Sequence, residues 1–191
     1  MDLDEEKELV ERAKIDSQAF GVLYDYYYSP IFAYILKRTA NIEATQDISS
    51  EVFSKAFNNL SRFHWQGVHF SCWLYRIANN EIANHYRKTR QQSLAYKKVF
   101  ESISFPNTDA ESELIEAEAE LKRHEDFLTL HASISRLSIR YQEVITLRYF
   151  ENKQLREISE ILRKREGTVK SLLHRGLEKL RELMEQNATS Q

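Results

Sequence analysis

Residues 154–181 read QLREISEILRKREGTVKSLLHRGLEKLR, and they predict two short helices joined by a tight turn. Apolar residues recur at helical spacing on both sides of residues 163–168, which are too few for more than a turn and a helix start. They are Leu155, Ile158, Ile161 and Leu162 in the first helix, then Val169, Leu172, Leu173, Leu177 and Leu180 in the second. This is the pattern of a helix-turn-helix, whose second helix can lie in a DNA major groove. The alternative is an ordinary helical hairpin with a solvated basic face.

Charge is distributed unevenly along the 191 residues, whose formal net charge is only −2. Residues 153–181 hold nine Lys or Arg against four Glu, and residues 74–98 hold six bases against one acid. Between these basic segments, residues 101–126 hold nine acids against two bases. Two basic modules are thus separated by an acidic one, an alternation for which a single-site metabolic enzyme has no obvious need.

Composition and periodicity favour an all-α fold. Four Gly and two Pro argue against a turn-rich β protein, and helical spacing of apolar residues runs through most of the chain. We expect two small helical domains, residues 1–92 and 127–186, joined by a flexible acidic linker over 93–126. Asp16 or Ser17 and Asn41 are candidate N-caps, and Pro30 either starts a new helical segment or kinks a single long helix.

The sequence also favours a cytoplasmic protein. It has no run of 18 apolar residues, so no membrane insertion is expected. The acidic N-terminus is unlike a signal peptide. One cysteine, Cys72, excludes an intrachain disulfide and a Cys-rich zinc site.

The start of the second helix in the 154–181 stretch supplies the first set of candidate DNA contacts. Arg can pair with guanine, Glu can accept from cytosine, and hydroxyls at a helix start suit phosphate oxygens. The candidates are Arg165, Glu166, Thr168, Lys170, Ser171, His174 and Arg175. Singly, each residue is more often a solvated surface group.

A second set follows the aromatic stretch 63–71, FHWQGVHFS, which we interpret as a loop before a basic helix. Aromatic faces can stack on unpaired bases, and Asn and basic side chains can contact base edges and phosphates. The candidates are Phe63, Trp65, Phe70, Asn80, Asn84, Arg87 and Lys88, with Arg76 and Asn79 on the same polar helix face. The alternative is a small core in which the aromatics pack, as we expect for Phe63 and Trp73; Trp65 is the better stacking candidate.

Chemistry other than binding is not indicated. His64, His69, Cys72 and His85 match no common zinc spacing, and no phosphate-binding loop, nucleophile elbow or carboxylate pair is present. We therefore predict a protein that is not an enzyme and that has no metal, cofactor or small-molecule substrate.

Several motifs resemble an extracytoplasmic-function sigma factor, a specificity subunit of bacterial RNA polymerase. Residues 20–38 resemble the start of sigma region 2, residues 47–53 (DISSEVF) its polymerase-binding helix, and residues 70–80 its promoter −10 helix. Residues 141–149, 157–158 and 167–171 resemble sigma region 4. The order and spacing of these motifs are more specific than any one of them. Arg163 and Lys164 stand where family members often have Gly, so a left-handed residue there would cost about 1 kcal/mol.

The resemblance implies a role for each part. Asp47, Glu51 and Phe53 would bind the clamp of core RNA polymerase, region 2 would trap extruded −10 bases, and region 4 would bind the −35 element. Promoter DNA would be melted by capture, without nucleotide hydrolysis, and an anti-sigma factor would be a further partner. Two alternatives remain open: a stand-alone helix-turn-helix regulator with a helical sensor domain, and a helical interaction protein with no DNA role.

Overall fold

The computed structural model describes residues 1–95, 130 and 132–189, with side chains for 1–89, 130 and 132–186. Within these ranges every regular element is helical, which confirms the all-α prediction. The N-terminal lobe contains α1 (Leu3–Ala13), α2 (Ser17–Thr39), α3 (Ile42–Asn59), a 3-10 turn (Leu60–Arg62) and α4 (Phe70–Ala95). The C-terminal lobe contains a helical segment over 132–136, α5 (Ile139–Ile145), a π-helical turn (Thr146–Phe150), α6 (Leu155–Leu162) and α7 (Glu166–Thr189). Apart from 93–95 in α4, the expected linker lies outside the described residues.

Side-chain caps start the first three helices. Asp2 forms a capping box with Glu5, Asp16 accepts from the Gln18 amide at 2.9 Å, and Asn41 accepts from the Ala44 amide at 2.8 Å. Caps of this kind satisfy amides that have no partner in the first helical turn. Two of the predicted caps are thereby confirmed. Helix α2 runs unbroken through Pro30, so the single-helix alternative is the observed one.

The N-terminal core forms where α2, α3 and α4 pack together, with α1 against α2. Apolar residues at helical spacing on α3 are buried, among them Ile48, Val52 and Ala56. Phe57 is the exception, since 49% of it is exposed and its ring meets the edge of Phe20 at a centroid distance of 5.0 Å. Leu60, three residues further along, is again buried.

A polar cluster lies inside this core. The Tyr34 hydroxyl donates to Asn79 at 2.6 Å, and the buried Arg38 guanidinium donates to both Tyr34 and Asn79 at 3.0 Å. The expectation that Asn79 lies on the exposed polar face of α4 is wrong, because only 5% of it is accessible. Its amide oxygen instead accepts from one nitrogen of the buried Arg38 guanidinium.

The C-terminal core is built by α5 packing on α7, with α6 across one end. Gly176 of α7 allows α5 and α7 to approach closely, since a Cβ there would lie 3.2 Å from Cδ1 of Ile145. Val144, Ile145 and Leu147 are buried in this core. Ile158 and Ile161 of α6 close the same core.

Polar contacts join the two lobes. The Glu151 carboxylate, 8% exposed, accepts from Lys37 at 3.0 Å and from the Tyr75 hydroxyl at 2.8 Å. Lys153 donates to the Ser71 hydroxyl at 3.2 Å. Helix α4 of one lobe therefore lies directly against α6 of the other.

Candidate nucleic-acid interface

The helix-turn-helix is present as predicted. Helix α6 ends at Leu162, and Arg163 adopts the left-handed conformation with φ 51° and ψ 46°. Its amide donates to the carbonyl oxygens of Ser159 and Glu160, which ends the helix. Helix α7 then begins at Glu166, so the chain reverses within three residues. A non-glycine residue in this conformation costs about 1 kcal/mol, and the turn is formed despite that cost.

The start of α7 presents its polar face outward. All seven candidates are exposed: Arg165, Glu166, Thr168, Lys170, Ser171, His174 and Arg175. Val169, on the opposite face, is fully buried and anchors the helix to its lobe. Among the described residues, none of the three cations Arg165, Lys170 and Arg175 has a carboxylate partner. Their charges are therefore available to an anionic ligand.

The aromatic stretch folds as a loop over residues 63–69, and α4 begins at Phe70. Phe63 and Trp65 are half-buried, with ring centroids 6.4 Å apart and the rings nearly perpendicular. Phe70 requires a correction, because only 1% of it is exposed and its ring packs 5.4 Å from Phe63 and 5.3 Å from Trp73. A ring so enclosed supports the loop from beneath and has no free face for a base.

The polar face of α4 continues from this loop. Asn80, Arg87 and Lys88 are exposed, whereas Asn84 is half-buried, with its amide nitrogen 3.4 Å from the Glu81 carboxylate and its oxygen accepting from Arg87. These side chains form a strip along one side of the helix, because their spacing of three or four residues places them on one face.

Arg76 differs from the rest of that strip. Its guanidinium reaches across to the C-terminal end of α6, where it donates to the Ile161 carbonyl at 3.3 Å and to the Glu160 carbonyl. Burial, followed by the neighbouring charge of Arg163, lowers the pKa of Arg76. Arg76 also lines a cleft between the aromatic loop and the helix-turn-helix turn, together with Phe63, Trp73 and Arg163.

The expected polymerase-binding residues lie on α3. Asp47 and Glu51 are exposed one turn apart, and Glu51 pairs with Lys55 at 2.9 Å. Phe53 is a second correction, since it is 4% exposed and packs against Tyr24 with a centroid distance of 4.7 Å. It holds α3 on α2 rather than forming part of the surface.

The residues considered as a metal site are used otherwise. His69 contacts Glu6 at 2.6 Å, and Cys72 is buried. In the part of the chain that the structure describes, no three His, Cys, Asp or Glu residues are grouped to hold a metal ion. Glu6 is buried in the N-terminal lobe, and its acidic neighbours in the sequence give no sign of that burial.

No described helix combines the length and apolarity needed to cross a bilayer.

Comparison with known proteins assigns the two lobes to one family. Residues 23–92 match Sigma-70 region 2, and residues 127–180 match Sigma-70 region 4. The extracytoplasmic-function (ECF) RNA polymerase sigma factor SigW of Bacillus subtilis is 31% identical over 183 residues, which are 95% of this chain and 97% of SigW. The chain is an ECF sigma factor of the sigma-70 family.

A second relative differs in length. The ECF sigma factor BldN of Streptomyces coelicolor is 30% identical over 189 residues, covering 95% of this chain and 66% of BldN. This sigma factor therefore corresponds to about two thirds of BldN but to nearly all of SigW.

Solved structures share the fold. A structure of CnrH with the cytosolic domain of CnrY matches with a TM-score of 0.65 at 20% identity, covering 94% of this chain and 97% of CnrH. The sigma factor RpoE of Bartonella quintana, solved with the anti-sigma factor NepR, matches with a TM-score of 0.64 at 20% identity over 87% and 96% of the two chains. At this identity the similarity concerns the fold alone.

Membership of this family establishes the general activity of the protein. This sigma factor is a transcription initiation factor, and not an enzyme, that binds core RNA polymerase and directs it to promoter DNA.

Proposed function

We propose that α7 binds the −35 element through the outer face of its first three turns. The observation that supports this most directly is the set of seven exposed polar side chains opposite the buried Val169. A helix anchored by one face and free on the other fits a major groove, where Arg and Glu read base edges and Lys contacts phosphate. This role belongs to a domain over residues 127–186.

The aromatic loop and the polar strip of α4 would hold the opened −10 strand, as part of a domain over residues 1–92. Trp65 is half-buried and Phe63 is packed behind it, so Trp65 offers the stacking face. Asn80 and Asn84 would contact bases, while Arg87 and Lys88 would contact phosphates. Stacking contributes roughly 1–3 kcal/mol per base, comparable to the few kcal/mol that extrusion of a base costs.

Asp47 and Glu51 would bind core polymerase. Both are exposed carboxylates on one face of α3, on the side of the lobe away from the buried Phe53 ring. A cleft lined by Asp47, Glu51 and Lys55 on α3 continues to Arg87 and Lys88 on α4. Polymerase and DNA contacts would therefore meet along one edge of the lobe.

Simultaneous contact with both promoter elements requires the lobes to separate. Elements about 17 base pairs apart lie roughly 58 Å apart at about 3.4 Å per step. About 30 extended residues, comparable to segment 93–126, span about 100 Å. The described arrangement, with Arg76 bound to the end of α6, would therefore be the form without promoter.

We further propose that this sigma factor acts in the cytoplasm, where bacterial RNA polymerase works. We also propose that an anti-sigma factor binds it, as is usual for the class.

Run-off transcription with matched core polymerase tests the proposal. Wild-type protein should give a promoter-dependent transcript and should make thymines of the −10 region reactive to permanganate only when core polymerase is present. Trp65→Ala should reduce opening, while Lys170→Ala should weaken binding to duplex that carries the −35 element. If the purified protein bound duplex promoter tightly without polymerase and opened nothing with it, the stand-alone regulator would be favoured instead.

A further inference from the structure

Glu6 of α1 is a buried carboxylate with three hydrogen-bond donors. Its side chain is fully inaccessible to solvent. One oxygen accepts from the Phe70 amide at 2.7 Å and from the Tyr27 hydroxyl, and the other contacts Nδ1 of His69 at 2.6 Å. Burial, together with the neighbouring Glu6 carboxylate, raises the pKa of Tyr27 well above its usual range, so this hydroxyl remains a donor.

The three donors belong to three different elements, which therefore meet at Glu6. Tyr27 belongs to α2, His69 is the last residue of the aromatic loop, and Phe70 is the first residue of α4. The Phe70 amide belongs to the first turn of α4, where backbone donors have no helical acceptor, and a negative charge there also interacts favourably with the helix dipole. Glu6 therefore acts as a cap that is donated by a different helix.

The arrangement couples the loop to α1. A buried carboxylate is strongly destabilising unless hydrogen bonds compensate for its lost hydration, so the Glu6 site is stable only while His69 and Phe70 stay where they are. The rest of the loop carries few such constraints, because His64, Gln66 and Gly67 are exposed. The end of the loop that joins α4 is thus fixed by a residue that lies 63 positions away in the chain.

We propose that Glu6 is a positioning residue for promoter opening, which holds the aromatic loop in the shape that receives the extruded −10 strand. This proposal rests on the −10 role assigned above to that loop. It extends the functional machinery to α1, which precedes the segment that matches sigma region 2. Glu6 itself would touch neither DNA nor polymerase.

The test compares Glu6→Gln with Glu8→Gln in full-length protein assembled with core polymerase. Glu8 is an exposed carboxylate on the same helix, so it controls for loss of one charge. The probe is a fluorescent single-stranded oligonucleotide with the −10 sequence of a promoter selected from randomised DNA by the wild-type holoenzyme. Core binding and binding to −35 duplex are measured alongside, and hydrogen exchange reports the Phe70 amide.

Glu6→Gln should weaken strand capture about tenfold, which corresponds to loss of one charge-assisted hydrogen bond. It should also speed exchange at Phe70, while affinities for core polymerase and −35 duplex stay within about twofold of the Glu8→Gln values. Tyr27→Phe removes one donor without touching the loop and should shift strand capture in the same direction. It serves as the deciding variant if circular dichroism shows that Glu6→Gln is not folded.

Two results would overturn the inference. Strand capture by folded Glu6→Gln, or by Tyr27→Phe in its place, could equal that of Glu8→Gln. Alternatively, core and −35 affinities could fall in parallel with strand capture, which would reveal a general loss of structure. Trp65→Ala distinguishes failure of the inference about Glu6 from failure of the −10 role. If Trp65→Ala also leaves strand capture unchanged, the aromatic loop does not have the −10 role.

Discussion

Glu151→Gln should shift this sigma factor toward a form in which the lobes are apart. Glu151 makes both of its described side-chain contacts across the lobe boundary, to Lys37 and to Tyr75. The substitution removes the negative charge and keeps the side-chain shape. Its effect should therefore fall on the equilibrium between lobes rather than on the folding of either one.

The size of the effect follows from these two contacts. Tyr75 is only 3% exposed, so the hydrogen bond from its hydroxyl to the Glu151 carboxylate stabilises the closed form by about 1.5–3 kcal/mol. The Lys37 side chain is 33% exposed, and solvent screening limits that ion pair to about 0.5 kcal/mol. Gln retains one acceptor oxygen and recovers about 1 kcal/mol of the loss. The net change of about 1–2.5 kcal/mol alters the ratio of closed to open forms roughly 5- to 70-fold.

Single-molecule energy transfer between the lobes measures that ratio. Cysteines introduced at exposed positions Ser54 and Glu182 would carry the two dyes. The native Cys72 should remain unlabelled, because burial raises the pKa of its thiol to about 12 and keeps it protonated. The unmodified chain, with Cys72 alone, reports any background labelling.

The matched control is Glu185→Gln, which removes a charge from an exposed pair with Arg181 on α7, away from the lobe boundary. Its distance distribution should coincide with that of wild type. If Glu151→Gln also gave the wild-type distribution, the Glu151 contacts would not hold the lobes together, and the bond energies assigned above would be wrong.

Three further predictions concern separate surfaces. Lys170→Ala should weaken −35 binding and lower the slope of log affinity against log salt by about 1 if it contacts a phosphate; an unchanged slope would remove it from the backbone contacts. Asp47→Lys should reduce affinity for core polymerase about tenfold by titration, whereas Glu43→Lys, exposed on the same helix, should not. Burial raises the pKa of Tyr34 from 10.0 to about 12, so the folded state keeps a proton that the unfolded chain releases. Stability should therefore fall as pH rises through that window, and urea unfolding of Tyr34→Phe should show a shallower fall.

Periodicity and turn length were enough to predict the helix-turn-helix. Apolar positions such as Ile158 and Val169 are buried as expected, and Arg163 occupies the left-handed turn position. Both features leave a local signal, because the apolar spacing of a helix face and the reversal at its end involve residues within one or two turns. The same locality explains why the caps Asp16 and Asn41 could be recognised from sequence.

The corrections share one cause, which is that burial of a side chain depends on helices distant in sequence. Phe70 was predicted to stack on a base because it lies in the aromatic stretch 63–71, but Tyr27 of α2 packs 6.0 Å from its ring, which Phe63 and Trp73 also cover. Helical spacing shows which residues share a face, and it cannot show how much of that face a second helix covers.

Charged residues make the point more strongly, because sequence patterns treat every carboxylate as solvated. Glu6 and Glu151 lie in strongly polar segments, yet each accepts hydrogen bonds from residues more than 60 positions away. A carboxylate is tolerated at such a site only when its hydrogen-bond partners are fixed. Its stability there depends on the carboxylate and its partner together and cannot be predicted from either residue alone. Glu6 couples α1 to the aromatic loop, and Glu151 couples the two lobes. At Glu6 and Glu151 the conformation of this sigma factor therefore depends on contacts that its local sequence does not reveal.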